Sequence, residues 1–175
     1  MAIVGSISTY KSSAALEELS KVSINAAAED MAALIGKILD EEKKLVQAFA
    51  SDELVRSTGE IIQEKSIDGA TMEIQNLRKI MKTKYKSLGS QYLGIFVTDT
   101  NGTIYTGELE DGTEYKGANL GDRECFKQAR QTGAAVVGDI SRSKVTGDII
   151  SVICAPIISH DGKFVGIFGL SMTVF

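Results

Sequence analysis

Glycine is distributed unevenly along this chain of 175 residues, and this feature constrains its fold most. Four of the 17 glycines lie in residues 1–88 and thirteen lie in residues 89–175. Glycine weakens helix interiors and collects at turns that need a positive φ. The distribution therefore predicts a helical first half and a strand-and-turn second half, within one domain or two small ones.

The helical half contains an apolar stripe at coiled-coil spacing, with a helix predicted from about residue 12 to residue 50. Successive positions alternate steps of four and three residues, and seven of the eight are apolar: Ile24, Ala28, Met31, Ile35, Ile38, Glu42, Leu45 and Phe49. An exposed apolar stripe of this length is expected to be buried against another surface. Two packing partners stay open: a second copy, giving a homodimer through the long N-terminal helix, or residues 69–88 and the sheet of the same chain. Breaks are predicted at residues 51–52, where Asp52 can cap a new helix, and at residues 66–69.

The glycine-rich half changes to the two-residue period of strands. The predicted elements are, in order, strands 92–98 and 103–106, a helix over 122–131, and strands 134–141, 149–159 and 164–174. Asp122 is the predicted N-cap of the helix and Gly133 its predicted stop. The dipeptides Asn101-Gly102 and Asp161-Gly162 are typical hairpin turns. The fold class predicted is α+β: long N-terminal helices, then a five-stranded antiparallel sheet with a short helix on one face.

Composition excludes several functions. A formal net charge of −4 lacks the basic surface that nucleic-acid binding needs. No apolar run reaches the length of a membrane span, and the first residues lack the features of a signal peptide. One histidine and two cysteines predict no metal site, no cofactor and no enzyme. Cys125 and Cys154 are predicted to be buried apolar groups, with a disulfide or a reactive thiol as alternatives.

The last part of the chain resembles the Cache-type sensor domains of bacterial methyl-accepting chemotaxis receptors. The matching segments, in chain order, are residues 94–102, 121–133, 137–140, 155–158 and 161–169. The resemblance implies a PAS-like module over residues 91–175, joined to a helical stalk and second helix over residues 1–90 as one structural unit. It also implies the extracytoplasmic (periplasmic) part of an inner-membrane receptor, anchored by transmembrane helices beyond both ends of this chain.

The resemblance further implies a ligand site between the sheet and the short helix. Family members that bind amino acids use Arg-x-aromatic-aromatic for the carboxylate, then Tyr-x-Asp, then a last-strand Asp for the ammonium. Those positions are occupied here by Arg123, Cys125 and Phe126, then Asp139, then Ser171. The guanidinium suits a bidentate carboxylate contact, but an ammonium would be poorly compensated. We therefore predict a small C2–C4 carboxylate without an amine, such as acetate, propionate, pyruvate or lactate.

A second set of residues is predicted to line this pocket: Phe96, Tyr105, Tyr115, Ser141 and Cys154. Two alternatives stay open. Arg123 can instead form a structural ion pair with Asp122, Glu124 or Asp139, in a ligand-free PAS-like or profilin-like scaffold with an occluded pocket. The output of the full receptor can also be a histidine kinase or a diguanylate cyclase.

Overall fold

A computed structural model describes residues 2–89 and 91–173, with side chains from residue 20 onward. The chain divides into two compact units, residues 1–40 and residues 41–175. The first unit is helical throughout its described residues, whereas the second contains helices and a sheet. The α+β class predicted from the sequence is confirmed.

Three helices come first: α1 (Ala2–Ala50), α2 (Glu53–Gly69) and α3 (Thr71–Lys86). The helix α1 begins earlier than predicted, because the serines near residue 12 cost a helix interior little. The predicted break at residues 51–52 is confirmed, since the Asp52 side chain accepts a hydrogen bond from the Leu54 amide and caps α2. The predicted break at residues 66–69 corresponds to a kink at Ser66, with φ 68°, and to the end of α2. No described helix has the length and hydropathy of a membrane span.

The sheet is antiparallel, with the order β2-β1-β6-β5-β3 and with β4 also paired to β5. Its strands are β1 (Tyr92–Thr98), β2 (Ile104–Leu109), β3 (Val136–Val137), β4 (Ser141–Arg142), β5 (Ile149–Ile158) and β6 (Phe164–Thr173). The single strand predicted over residues 134–141 is present as β3 and β4. Both pieces pair with β5, but the chain leaves the ladder between them.

In the glycine-rich half, the turns and helix ends predicted from local sequence signals lie at or within one residue of their positions in the structure. In the β1–β2 turn the Asp99 carboxylate accepts hydrogen bonds from the Asn101 and Thr103 amides, and Gly102 adopts φ 85°. The short helix α4 (Glu124–Thr132) ends at Gly133, whose left-handed conformation gives the predicted stop. Its N-cap position is Arg123, one residue after the predicted Asp122, because the Asp122 carboxylate binds Lys144 instead.

Two separate apolar clusters lie on the two sides of the sheet. On the side we call the helix face, the sheet packs against α2, α3 and the last turns of α1; its strand residues include Ile95, Val97, Ile153, Ile157, Phe168 and Leu170. On the side we call the cavity face, it packs against α4 and the loops after β2; its strand residues include Phe96, Ile104, Ile150, Cys154 and Ile167. The helix face is continued in α3 by Leu77 and Met81, both fully buried.

The apolar stripe of α1 divides into two parts. Ile24, Met31, Ile35 and Ile38 are exposed by 51–66%. From Glu42 onward the stripe packs within the second unit, where Phe49 contacts Phe168 at 5.5 Å between ring centroids. Glu42, the polar member of the stripe, accepts a hydrogen bond from the Tyr92 hydroxyl, and burial together with this carboxylate raises the pKa of Tyr92 to about 12. Intramolecular packing therefore covers the C-terminal part of the stripe.

Candidate functional site

A cavity of about 280 Å³ opens on the cavity face, between the sheet and the N-terminus of α4. Five parts of the chain form its wall: β1, β5, the loop between β2 and α4, the first turn of α4, and the segment from residue 138 to residue 144. The lining residues are Phe96, Tyr115, Leu120, Arg123, Glu124, Cys125, Gly138, Asp139, Ser141, Arg142, Ser143, Lys144, Ile150 and Val152. Apolar strand residues thus lie opposite a rim of charged groups.

Arg123 lies at the N-cap position of α4, and its side chain lines the cavity beside the start of this helix. One of its Nη atoms donates a hydrogen bond to the main-chain oxygen of Arg142 at 2.7 Å. In the described part of the chain it forms no ion pair. Helix-terminal amides and a guanidinium both favour a negative charge at this end of the cavity.

Two further cations line the cavity, and sequence reasoning missed both. Arg142 donates from Nη1 to the Gly147 oxygen at 2.8 Å and forms no ion pair with a described carboxylate. Lys144 instead binds the Asp122 carboxylate at 2.6 Å, which lowers the pKa of Asp122. The sequence signal that could have located them is the presence of two basic residues in the short loop after a predicted strand.

An aromatic pair forms the apolar floor of the cavity. The rings of Phe96 and Tyr115 pack at 4.9 Å between centroids, tilted by 58°. Phe96 can lie flat on the sheet because its neighbour on β6 is Gly169, where a Cβ would come within 2.1 Å of the ring. The Tyr115 hydroxyl points to the Ser171 hydroxyl at 3.4 Å. Ser171 is fully buried behind the ring, outside the cavity lining.

The edge of the sheet supplies the remaining predicted wall residues. Gly138 extends the β3 ladder, with its amide donating to the Val152 oxygen at 2.7 Å and its own oxygen accepting from the Ser151 hydroxyl at 2.8 Å. The chain then leaves β5, which places Asp139 and Ser141 on the rim. Asp139 is largely exposed to solvent.

Six of the ten residues predicted for the site line the cavity: Phe96, Tyr115, Arg123, Cys125, Asp139 and Ser141. Phe126 is buried against Phe164 on the far side of α4. Cys154 lies beneath the wall, with its sulfur 2.6 Å from that of Cys125. These two residues and Ser171 support the site from behind.

Tyr105 lies on the opposite side of the sheet. Val97 pairs with Thr106 and Thr98 pairs with Ile104, so Tyr105 is the extra residue of a bulge in β2. A bulge breaks the alternation of side chains between faces, and Tyr105 joins the helix-face cluster. Burial raises the pKa of its hydroxyl, which has no hydrogen-bond partner among the described residues. No sequence signal marked this bulge.

No protein-family profile matches the chain. Among curated proteins, sporulation kinase D of Bacillus subtilis is 26% identical over 87 residues, which cover 50% of this chain and 16% of the kinase. Among solved structures, the sensor domain of the Vibrio cholerae histidine kinase DctB superposes with a TM-score of 0.63 at 13% identity, covering 79% of this chain and 50% of that one.

The sensory domain of the Campylobacter jejuni chemoreceptor Tlp3, solved with isoleucine bound, has a TM-score of 0.55 at 13% identity; 79% of this chain covers 53% of that one. The chain has the Cache-type, PAS-like sensory-domain fold. It spans about half the length of these two structures and about a sixth of the kinase. The resemblance drawn from the sequence is thereby confirmed at the level of the fold.

Proposed function

We propose that this chain is the ligand-binding sensor domain of a transmembrane receptor, a chemoreceptor or a sensor kinase, and that its cavity binds a small organic anion. The observation that carries the proposal is the position of Arg123, whose guanidinium lines the cavity at the start of α4. The domain acts by binding its ligand, without catalysis.

The charges of the rim favour a carboxylate. Arg123 and Arg142 donate to main-chain oxygens, so neither guanidinium is neutralised by those contacts. A planar guanidinium binds a carboxylate through two parallel hydrogen bonds. Lys144, by contrast, is paired with Asp122. We therefore assign the carboxylate contact to Arg123, with Arg142 as a second donor.

The volume of the cavity and its aromatic floor favour a ligand of two to four carbons. A cavity of about 280 Å³ lies at or below the lower end of the range for small-molecule sites. Phe96 and Tyr115 offer an apolar surface for a methyl or short alkyl group. Ser171, the residue at the position of an ammonium partner, lies behind Tyr115, which supports a ligand that has no amine. Tlp3 binds isoleucine, so amino acids are the competing class to test.

The ligand-free scaffold predicts an occluded pocket and a salt-bridged Arg123. The open cavity and the carbonyl partner of Arg123 favour the sensor instead.

Thermal unfolding against acetate, propionate, pyruvate and lactate, with the twenty amino acids alongside, tests the proposal. A ligand at a hundred times its Kd adds about 2.7 kcal/mol, which raises Tm by roughly 5–10 °C for a domain of this size. Arg123→Ala is expected to weaken binding by roughly 10- to 100-fold, the value of a charged hydrogen-bonded contact. Lys127→Ala is the matched control, since it removes one positive charge from the same helix outside the cavity.

A rise with carboxylates that Arg123→Ala removes and Lys127→Ala keeps supports both the ligand class and the assigned contact. A rise with amino acids overturns the carboxylate class and retains the sensor. No rise with any compound favours the scaffold.

We further propose that two copies pair through the N-terminal part of α1, in a receptor whose sensor domain lies outside the cytoplasm. The exposed residues Ile24, Met31, Ile35 and Ile38 keep the alternating spacing of a two-helix interface. In analytical ultracentrifugation we expect a dimer that Met31→Lys combined with Ile35→Lys converts to a monomer. Even weak specific pairs form at a concentration of about 10⁻⁴ M. If the unmodified chain is monomeric at that concentration, the result contradicts this proposal.

A further inference from the structure

Two thiols meet under the wall of the cavity. The Cys154 thiol donates to the Cys125 sulfur, and the two sulfur atoms are 2.6 Å apart. Nonbonded carbon atoms, which are smaller than sulfur, pack at about 3.5–4.0 Å. Cys125 belongs to the first turn of α4, whereas Cys154 lies within β5, paired to Val136 on one side and Gly169 on the other. The fold therefore brings together two cysteines from different elements.

The two cysteines have different environments. Cys125 lines the cavity and is 8% exposed, whereas Cys154 is fully enclosed. The hydrogen bond from Cys154, the Phe126 amide and the charge of Arg123 lower the pKa of the Cys125 thiol, although burial opposes them. Burial raises the pKa of the Cys154 thiol. A small molecule that enters the cavity thus meets the more acidic thiol first.

We propose that Cys125 and Cys154 form an oxidisable dithiol, in which Cys125 reacts with a small hydroperoxide and Cys154 then closes an intramolecular disulfide. This inference does not depend on the ligand of the cavity. It rests on the contact between the sulfur atoms and on the access to one of them.

The chemistry requires one peroxide for each disulfide. The Cys125 thiolate attacks one peroxide oxygen, the O–O bond breaks, and after proton uptake the products are a sulfenic acid and water, or an alcohol from an alkyl hydroperoxide. The Cys154 sulfur then attacks the sulfenic sulfur. The S–S bond forms, the S–O bond breaks, and hydroxide leaves as water with the Cys154 proton. Two thiols are oxidised by two electrons, and a dithiol reductant reverses the reaction by exchange.

The disulfide would join the first turn of α4 to a central strand. Arg123 and Glu124 precede Cys125 directly in this turn and both line the cavity. Oxidation would therefore fix the wall of the cavity on the sheet.

The test uses the whole chain, reduced and then treated with hydrogen peroxide in equimolar amount. After unfolding and alkylation, the reduced protein is expected to carry two alkyl groups. The oxidised protein is expected to carry none, to be lighter by the mass of two hydrogen atoms and to migrate as a monomer without reductant. Its Tm is expected to rise by roughly 5–15 °C and to return on addition of dithiothreitol, because a cross-link constrains the unfolded chain.

Two variants separate the roles of the cysteines. Cys154→Ala is expected to stop at the Cys125 sulfenic acid, which dimedone traps, and Cys125→Ser is expected to leave Cys154 unreactive at the same peroxide concentration. Circular dichroism establishes that each variant folds. Two alkyl groups on the peroxide-treated wild-type protein, disulfide-linked dimers, or equal reactivity of the two single variants would overturn the proposal.

Discussion

The two faces of the sheet differ in how completely the elements packed against them fill the adjoining space. On the helix face, residues such as Leu77, Ile157 and Phe168 are fully buried, and they belong to the cluster that packs helices and sheet together. On the cavity face, a shorter helix and irregular loops leave about 280 Å³ beside the same strands. Close packing thus dominates the helix face, whereas the cavity face combines a packed cluster with an open volume that a ligand can enter. Substitutions on the two faces should therefore have separable effects.

The largest expected effect comes from comparing the same type of substitution, leucine to alanine, at one position on each face. Leu77→Ala on the helix face should lower the free energy of unfolding by about 2–5 kcal/mol, because close-packed neighbours cannot fill the space. Leu120→Ala at the cavity should cost less, about 1–2 kcal/mol, since that side chain is already next to open volume. Urea unfolding measures both. Equal losses would contradict the comparison.

A smaller effect is expected at Gly169, where the sheet supports the floor of the cavity. In Gly169→Ala the new methyl group would lie 2.1–2.6 Å from three ring atoms of Phe96, so the ring must move toward the cavity. Overpacking of this kind costs about 1–3 kcal/mol. We expect the variant to remain folded and to lose the rise in Tm given by carboxylates. Retention of that rise would show that the Phe96 ring does not define the site. Gly133→Ala, also a glycine change on this face but away from the cavity, is a control for stability loss without loss of binding.

The smallest effect is a pH dependence on the helix side. His160, in the turn between β5 and β6, lies 2.8 Å from Glu60 and 3.0 Å from Glu53 of α2. These carboxylates raise the pKa of His160 above 6.5, and the His160 amide and ring lower the pKa of Glu60 below 4.5.

The direction in which stability changes with pH follows from the difference between the folded and unfolded pKa values. The contribution of His160 is fully present below pH 6.5 and is lost as pH rises through its higher folded pKa. That of Glu60 is present above pH 4.5 and is lost as pH falls through its lower folded pKa. Stability from this contact should therefore be greatest between these values. Urea unfolding at about pH 5.5 and pH 8 should show a fall that His160→Gln reduces; an equal fall in both proteins would exclude the contact as its source.

Sequence patterns predicted the elements whose signals are local. Asp52 as a helix cap, Gly133 as a helix stop and Asn101-Gly102 as a hairpin turn each depend on a few adjacent residues. Patterns failed where a side chain's position depends on the exact register between paired strands. Tyr105 crosses to the helix face through a bulge set by its register with Val97 and Thr98.

The candidate site was predicted in part for the same reason. Arg123 was found because it matches the first position of the Arg-x-aromatic-aromatic motif of the family that the chain resembles. Arg142 and Lys144 were missed because their approach to the cavity depends on β4 pairing with β5, where Ser141 lies opposite Ile150. Two residues of pairing give little periodic signal in a sequence.

A titration followed by amide NMR tests the central claim most directly, with acetate, propionate, pyruvate and lactate added in turn to the ¹⁵N-labelled chain. At least one of them should shift the amide signals of Arg123, Ser141 and Val152 at the cavity, and leave those of Leu77 and Ile157 on the helix face in place. Arg123→Ala should remove these shifts and Lys127→Ala should preserve them. Shifts spread equally over both faces, or no shift with any of the four carboxylates, would contradict the account.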